Sequence, residues 1–473
     1  MISQREYASY DGLGLAQLVR SGRVSAIELL EAALARSAQV NPDLNAIVFD
    51  MQAEARREIA AGLPPGPFSG VPYLLKDFQA LVRGVPTTFG AAFLRNFVPT
   101  VDSETVARSK RAGFAIFGKT NTPEFAISPT TEPRLFGPTR NPWGLARSAG
   151  GSSGGAAAAV AGGIVPLAHA TDGGGSIRIP ASACGLFGMK ISRGRNTLAP
   201  MLGEALAGAA VEHCVSRSVR DSAALLDATR GAAPGDPYGA PPPARNYLEE
   251  VGAPPGRLRI AVSAQPFLPA QISDGSRAAL ADAAKLCESL GHHVEEATPH
   301  ADFETLAHAF FVAFATNIAS SIAQRAQGRA YGSGDFEPVT WAAIEAARAF
   351  SAIDYLQAVQ TFHRLGRQVA PFFETYDALL TPTLATLPPL LGELAMNATD
   401  AQDYFQRVWR FTPFTALFNA TGQPAMTVPL GWQEEGLPVG VQFAARYGAE
   451  DLLFRLAAQL EQARPWFARI PAL

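Results

Sequence analysis

The 473-residue sequence has few cysteines, no long block of one charge and no uninterrupted apolar run of membrane-spanning length. Three cysteines without paired spacing argue against a disulfide framework and a zinc site, and they indicate a reducing compartment. A net charge of −3 without a concentrated basic stretch argues against nucleic acid as a partner. The longest apolar run, residues 156–170, is interrupted by glycine, proline and histidine. Residues 1–13 lack the apolar core of a secretory signal, so we expect no membrane association and a cytoplasmic location.

Glycine, by contrast, is concentrated in two clusters that also contain serine. Residues 150–155 include Ser152 and Ser153, and residues 172–178 place Ser176 directly after three glycines. Glycines allow positive φ angles and let backbone N–H groups approach a ligand closely. A serine in such a loop is a candidate nucleophile, so three serines compete for this role.

Local patterns predict an α/β protein. Ser25 and Glu28 have the spacing of a helix capping box ahead of an apolar helix face. Residues 71–77 form a short apolar run that ends in a charge, as expected of a buried strand whose carboxyl end opens at a site. Residues 258–295 alternate strand, helix and strand, a rhythm that predicts a largely parallel sheet.

The length allows one large unit or two to three ordinary domains. Residues 231–257 are rich in proline, glycine and alanine and form the best linker candidate. Residues 303–373 have a helical pattern with many aromatic residues, a minority of which could line a pocket. Asn419-Ala420-Thr421 is a glycosylation sequon, which would matter only in a secreted protein.

Residues 113–120 match the spacing of a phosphate-binding loop. A phosphate loop needs a flexible, polar or glycine-rich interior, whereas Phe114 to Phe117 has the pattern of a buried strand. Pro123 follows where the phosphate-binding helix would have to continue. We therefore expect a strand and a turn here.

Serine becomes a strong nucleophile only when a base takes its proton. Residues 151–155 match the nucleophile elbow of α/β-hydrolases, with Ser153 as nucleophile and Asp377 as a downstream acid, but the residues before them do not predict a buried strand. The base of that arrangement would be one of the seven histidines, and none lies in a loop context that predicts a triad. The other candidate base is Lys76. A lysine has an ordinary pKa of about 10.4. Burial among hydroxyl groups without a carboxylate partner would lower that pKa and supply a neutral amine.

Several motifs in this order resemble the amidase signature family. Ser152 and Ser176 are 24 residues apart (176 − 152), which is the spacing of that family. The resembling stretches are Gly70-Val71-Pro72-Tyr73-Leu74-Leu75-Lys76-Asp77, Gly118-Lys119-Thr120-Asn121-Thr122-Pro123-Glu124-Phe125, Arg140-Asn141-Pro142-Trp143 and both serine clusters. The resemblance implies one α/β domain over residues 1–473, with its signature core at about 68–195, and a mixed, twisted β-sheet covered by helices on both faces.

The resemblance also implies the roles of the site residues. Ser176 would be the nucleophile, Ser152 a bridging serine that follows a cis peptide bond, and Lys76 the general base. The implied oxyanion donors are the N–H groups of Gly173, Gly174, Gly175 and Ser176. Ser153, Asp172 and Arg178 would support the site. The family mechanism needs no metal and no cofactor.

Further stretches, including Arg193-Gly194-Arg195 and residues 447–453, resemble the nylon-oligomer branch of the family, the 6-aminohexanoate cyclic-dimer hydrolases. The sequence departs from that branch near Ala315, where the branch has a binding-pocket cysteine. We therefore predict a serine amidohydrolase that acts on small, rather apolar amides through an acyl-enzyme. An aryl-acylamidase, a urethanase and a non-catalytic binding subunit are the alternatives. The expected partner is a small-molecule amide, and a homo-oligomer is one option for the assembly.

Overall fold

The computed structural model describes residues 2–433 and 436–473. Within these residues the strands are β1 (Ile47–Asp50), β2 (Pro72–Lys76), β3 (Ala115–Thr120), β4 (Arg140–Asn141), β5 (Gly144–Ser148), β6 (Leu167–Asp172), β7 (Phe187–Lys190), β8 (Val211–Ser216), β9 (Arg259–Val262), β10 (His293–Glu296), β11 (Ala378–Pro382), β12 (Ala425–Trp432) and β13 (Pro438–Ala445).

The α-helices of the same residues are α1 (Gln4–Ser9), α2 (Gly12–Arg20), α3 (Ala26–Leu44), α4 (Gln52–Ala61), α5 (Glu104–Arg111), α6 (Gly154–Ala161), α7 (Arg178–Cys184), α8 (Val219–Thr229), α9 (Tyr247–Glu250), α10 (Asp274–Ser289), α11 (Glu304–Ala326), α12 (Pro338–Ala349), α13 (Ala352–Val369), α14 (Phe372–Thr375), α15 (Ala401–Phe411), α16 (Ala416–Thr421) and α17 (Glu450–Ala463). Short 3₁₀ turns lie at Ala92–Leu94, Glu124–Ala126 and Ser333–Asp335.

The strands form one large sheet, one small sheet and a hairpin. The large sheet has eight strands in the order β10-β9-β11-β13-β12-β7-β8-β6, and the small sheet has the order β1-β3-β2. Among the described strands of the large sheet, β10–β9 and β9–β11 pair in parallel, and the other neighbours pair antiparallel. The expected mixed sheet is confirmed. The expectation of a largely parallel sheet is wrong, because the strand–helix–strand rhythm at residues 258–295 describes only one edge of it.

Helices cover both faces of the large sheet. Leu380 and Phe443 belong to a core cluster that also contains residues of α10 and α17. Their strand neighbours Leu379 and Ala444 belong to a different cluster, built mainly from α11 to α16. Because successive side chains of a strand point to opposite faces, this alternation places a hydrophobic core on each side of the sheet. The α/β architecture predicted from the sequence is therefore confirmed.

Two local predictions are also confirmed. Ser25 and Glu28 form the capping box at the start of α3, with the Ser25 N–H donating to Glu28 Oε2 at 2.9 Å. Residues 115–120 form the buried strand β3, and the Lys119 ammonium donates to the Pro86 carbonyl at 2.7 Å. The phosphate-loop spacing therefore belongs to a turn and a strand.

The proline- and glycine-rich stretch connects α8 to β9. Residues 231–246 contain no helix or strand, and α9 follows them. The stretch is held to the domain because the Gly231 N–H donates to the Arg195 carbonyl at 2.8 Å. Since β8 and β9 belong to the same sheet, this stretch joins parts of one sheet.

Among the described residues, α11 is long and apolar enough by length and composition to cross a membrane, with a mean hydropathy of 1.5 over its most apolar window. The expectation that the longest apolar stretch is 156–170 overlooked this helix, because threonine, asparagine and serine interrupt its apolar run. Leu306, Phe310 and Ile322 of α11 are buried in the core. The helix thus forms part of the hydrophobic core and, as shown below, one wall of a cavity.

Candidate active site

The loop between β6 and α7 carries Ser176. Gly175 has a φ of 137°, and a Cβ atom there would lie 2.5 Å from Thr415 Oγ1, so only glycine fits. The Asp172 carboxylate accepts hydrogen bonds from the N–H groups of Gly175 at 2.7 Å and Ile177 at 3.2 Å. The loop is therefore fixed around Ser176, whose side chain faces a cavity.

Asp172 is itself held by Arg178, and both side chains are fully buried. Arg178 donates to both carboxylate oxygens of Asp172 at 3.0 Å. It also donates to Thr415 O at 2.9 Å, Gln442 Oε1 at 2.7 Å and Asn419 Oδ1 at 2.6 Å. Burial alone would raise the pKa of Asp172, but the Arg178 charge and hydrogen bonds lower this pKa to about 2. The pair therefore stays ionised and braces the loop.

Lys76 lies at the end of β2 and meets the other serine cluster. Its Nζ lies 2.7 Å from Ser152 Oγ, 3.0 Å from Ser153 Oγ and 2.9 Å from Thr171 Oγ1. The Gly151–Ser152 peptide bond is cis, as the family resemblance implied. The structure therefore brings Lys76 and both serines of the first cluster into direct contact.

The protonation of Lys76 follows from its surroundings. Its side chain is fully buried, and within the described residues no carboxylate lies within ion-pair distance of it. Burial lowers the pKa of Lys76 well below its ordinary value, although the more distant charges of Asp172 and Glu212 raise it in part. The site thus favours the neutral amine.

The hydrogen bonds of Ser153 orient that amine. The Ser153 hydroxyl donates to the Thr171 carbonyl at 3.2 Å, so its oxygen accepts from Lys76. A neutral amine has two N–H donors and one lone pair. If Ser153 and Thr171 accept the two N–H groups, the lone pair faces the Ser152 hydroxyl. Ser152 is then the group that can give a proton to Lys76.

The predicted oxyanion donors differ in their availability. The Gly175 N–H already donates to Asp172, as described above. In the described part of the chain, the N–H groups of Gly173, Gly174 and Ser176 donate no hydrogen bond. These three donors lie at the cavity that Ser176 faces. They can therefore bind an oxygen that carries developing negative charge.

A cavity that opens to solvent lies over Ser152 and Ser176. Charged side chains are absent from its lining within the described residues. Its walls are mostly apolar and come from the 3₁₀ turn after β3, from α11 and from α15, and the large side chains are Phe78, Phe125, Phe310, Phe314, Phe405 and Trp409. The chemistry of this lining suits an uncharged, apolar ligand.

The alternative arrangement around Ser153 does not form. β5, the strand before it, is largely exposed, unlike the buried strand of a nucleophile elbow. Asp377 lies at the surface and accepts a hydrogen bond from the Arg259 N–H at 2.7 Å. Within the described residues no histidine is hydrogen-bonded to Ser153.

Sequence reasoning missed four polar residues around the site: Thr171, Thr415, Asn419 and Gln442. These residues lie in strands, in a helix or at the start of a helix. They are outside the glycine clusters and do not belong to the motifs that predicted the site. Asn419 carried a signal, the sequon, but the structure buries its side chain, whose Nδ2 donates to Asp172 Oδ1 at 2.9 Å. A buried amide in this position braces the nucleophile loop.

Comparison with known proteins identifies the family of the chain. The model of the Amidase family matches residues 28–454. The chain is 39% identical over 480 aligned positions to the 6-aminohexanoate-cyclic-dimer hydrolase of Paenarthrobacter ureafaciens, covering 98% of this chain and 96% of that protein. The enzyme of the same name from Pseudomonas sp. (strain NK87) is also 39% identical, with the same coverage.

Solved structures with a similar fold belong to the same family. The structure of 6-aminohexanoate cyclic dimer hydrolase complexed with substrate superposes with a TM-score of 0.94 at 39% identity, over 98% of this chain and 99% of that one. A bacterial aryl acylamidase of the amidase signature family superposes with a TM-score of 0.87 at 27% identity, over 97% of both chains. The chain therefore belongs to the amidase signature family, and it is an amidase.

Proposed function

We propose that this amidase cleaves small, rather apolar amides through an acyl-enzyme, with Ser176 as nucleophile, Ser152 as proton relay and Lys76 as general base. The observation that carries this proposal is the 2.7 Å hydrogen bond between Lys76 Nζ and Ser152 Oγ. It joins a buried amine, which has no carboxylate partner among the described residues, to a serine that lines the same cavity as Ser176.

Acylation begins when Lys76 accepts the Ser152 proton and Ser152 accepts the proton of Ser176. Ser176 Oγ forms a bond to the carbonyl carbon of the amide, and the π electrons of that carbonyl move to its oxygen. The oxyanion electrons then re-form the carbonyl π bond, the C–N bond breaks, and the proton passes from Lys76 through Ser152 to the leaving nitrogen. The amine leaves neutral, because an amine anion is not a viable leaving group.

The carbonyl oxygen becomes an oxyanion in this step. The free N–H groups of Gly173, Gly174 and Ser176 are the proposed donors, and one such donor typically lowers the barrier by about 3–4 kcal/mol. Deacylation repeats the sequence with water in place of Ser176. The water gives a proton to Ser152, Ser152 gives its own proton to Lys76, and the water oxygen bonds to the ester carbon. The carbonyl π bond then re-forms, the bond from that carbon to Ser176 Oγ breaks, and Ser176 receives the returned proton.

Two observations support the substrate class. The cavity lining carries no charged side chain among the described residues and is mostly apolar. The relatives are named for a cyclic amide, 6-aminohexanoate cyclic dimer, and a structural neighbour is named an aryl acylamidase. Nylon-oligomer-like amides are therefore the first substrates to test, and anilides and carbamates are the alternatives within the class.

We also propose that the reaction requires no metal ion or cofactor and takes place in the cytoplasm. In the described residues no group of three or more His, Cys, Asp or Glu side chains could hold a metal ion. The three cysteines are free and buried, as in proteins of a reducing compartment. We therefore expect full activity in the presence of a chelator, and inhibition by EDTA would contradict the scheme.

A fluorophosphonate probe tests the proposed roles. We expect covalent labelling at Ser176 in the native protein and loss of labelling in Lys76→Ala and Lys76→Met, both with native circular dichroism. Labelling of Ser153 that depends on a histidine would restore the elbow mechanism. Folded protein that is not labelled and hydrolyses no amide would instead indicate a non-catalytic binding subunit.

A further inference from the structure

A short loop lies directly beside the proposed relay serine, Ser152. Residues 128–131, which we call the support loop, contain no helix or strand. A Cβ atom at Gly151 would lie 2.5 Å from the Thr130 carbonyl oxygen and 2.7 Å from that of Ser128. The backbone of the support loop therefore packs so closely on the residue before Ser152 that it leaves no room for a side chain there.

The support loop also holds both ends of the first serine cluster through Thr131. The Thr131 hydroxyl donates to the Gly150 carbonyl at 2.9 Å and accepts a hydrogen bond from the Gly154 N–H at 3.1 Å. These two contacts lie on either side of Ser152 in the sequence. A movement of the support loop would therefore move Ser152, whose Oγ lies 2.7 Å from Lys76 Nζ.

The support loop is itself held by a tyrosine of α15. The Tyr404 hydroxyl donates to Ser128 Oγ at 2.7 Å, and the Leu394 carbonyl oxygen lies 3.2 Å from the same hydroxyl. Ser128 Oγ also accepts a hydrogen bond from the Thr130 N–H at 3.1 Å, so it fixes the turn of the loop. Tyr404 thus connects α15 to the loop beside Ser152.

The surroundings of Tyr404 separate it from the substrate. Its side chain is fully buried, and the cavity lining includes Phe405, Val408 and Trp409 of the same helix but not Tyr404. Burial raises the pKa of the Tyr404 hydroxyl, so the group stays protonated and can donate at neutral pH. An effect of this hydroxyl on the reaction therefore passes through its hydrogen-bond partners.

We propose that Tyr404 is a positioning residue, which fixes the support loop through Ser128 and thereby keeps the Ser152 hydroxyl against the general base. This inference rests on the proposed function, in which Ser152 passes its proton to Lys76 and accepts that of Ser176. Substitutions at the cavity-facing positions of α15 keep the tyrosine hydrogen bond. Loss of the tyrosine hydroxyl disturbs the relay while the cavity lining stays the same.

The test measures covalent labelling of Ser176 by a fluorophosphonate, which requires an activated serine but no known amide substrate. Tyr404→Phe removes only the hydroxyl. We expect its maximal labelling rate, kinact, to decrease by roughly 2- to 10-fold, as for the loss of one hydrogen bond, while the apparent affinity for the probe, KI, stays native. Tyr7→Phe is the matched control and should keep native kinact, because Tyr7 is also buried and its hydroxyl donates to the Ile164 carbonyl at 3.0 Å.

Two double variants test the path from the tyrosine to the relay. Ser128→Ala should lower kinact at least as much as Tyr404→Phe, and combining the two should cause no further decrease. Tyr404→Phe added to Ser152→Ala should leave the low residual kinact unchanged, because the hydroxyl that the tyrosine positions is already absent. A merely structural role would instead lower kinact by the same factor in every background.

Native kinact in Tyr404→Phe, a change confined to KI, or an equal decrease in Tyr7→Phe overturns the inference. A further decrease in either double variant does the same. If Ser152→Ala itself is labelled at the native rate, the relay of the proposed function fails, and this inference fails with it. If Ser152→Ala is labelled slowly while Tyr404→Phe is labelled at the native rate, only the positioning role fails.

Discussion

Ser153 provides the sharpest test of how Lys76 is oriented. In the structure it accepts one N–H of Lys76 at 3.0 Å, and its own proton is committed to the Thr171 carbonyl. Ser153→Ala removes this acceptor without removing the nucleophile, the relay or the base. The lysine can then turn an N–H toward Ser152, which directs the lone pair away from the proton that it must accept.

The expected size of the effect follows from the lost hydrogen bond. Leaving a buried donor without its partner costs about 1–3 kcal/mol. If this free energy is added to the barrier of the proton-transfer step, kcat/KM decreases by roughly 5- to 150-fold. Ser152→Ala should cost considerably more, because it removes the relay itself.

The assay is kcat/KM for a chromogenic anilide or for the cyclic dimer, with thermal unfolding measured in parallel. Ser109→Ala is the matched control, since Ser109 is equally buried and its hydroxyl donates to the Thr105 carbonyl at 2.8 Å on α5. It should lower stability without lowering kcat/KM. Native kcat/KM in Ser153→Ala, or an equal fall in Ser109→Ala, would refute the orientation argument.

Three further predictions concern charge and backbone. Glu212→Gln removes a charge that raises the pKa of Lys76. The acid limb of the pH profile of kcat/KM, where Lys76 gains a proton, should therefore move to lower pH. Movement to higher pH would contradict this prediction. Asp172, whose pKa falls from 3.8 to about 2 in the folded protein, stabilises it by about 2 kcal/mol above pH 4, and this contribution is lost as the pH falls through 2. The difference in unfolding free energy between native protein and Asp172→Asn should shrink by this amount between pH 6 and pH 2 in urea titrations, and a constant difference would contradict it. Gly175→Ala places a Cβ against Thr415 and should abolish activity, whereas Gly231→Ala, with an open neighbourhood at a φ of 103°, is the control for backbone strain alone.

The sequence predicted much of the candidate site because its motifs are local. The stretch around Lys76 and the two serine clusters each have a recognisable order of residues, and the structure places Lys76 in contact with Ser152 and Ser153. Thr171 was not predictable, because a single threonine in a strand carries no motif and reaches Lys76 only through the packing of the small sheet on the large one. The role of each residue in catalysis stays a prediction.

The pocket and the sheet show the other limit of sequence reasoning. The aromatic helical stretch at residues 303–373 was expected to contribute to a pocket, and α11 does so. The contribution of α15, including Phe405 and Trp409, was missed. An amphipathic pattern shows that one face of a helix is buried, but not which surface it meets. The sheet shows the same limit. The local pattern at residues 258–295 predicted the parallel edge, but a local pattern does not show which strands elsewhere in the chain pair antiparallel.

Two helices of the cavity wall come from a different part of the chain than the reacting groups. Lys76, Ser152 and Ser176 all lie before residue 195, whereas α11 and α15 begin after residue 303. Mutations that reshape these two helices can therefore alter which amide is accepted while the proton path and the oxyanion donors stay as they are. We expect that exchanging α11 and α15 together between relatives would transfer the selectivity for the amide substrate. Such exchanges offer a direct route to new amidases that keep the same catalytic residues.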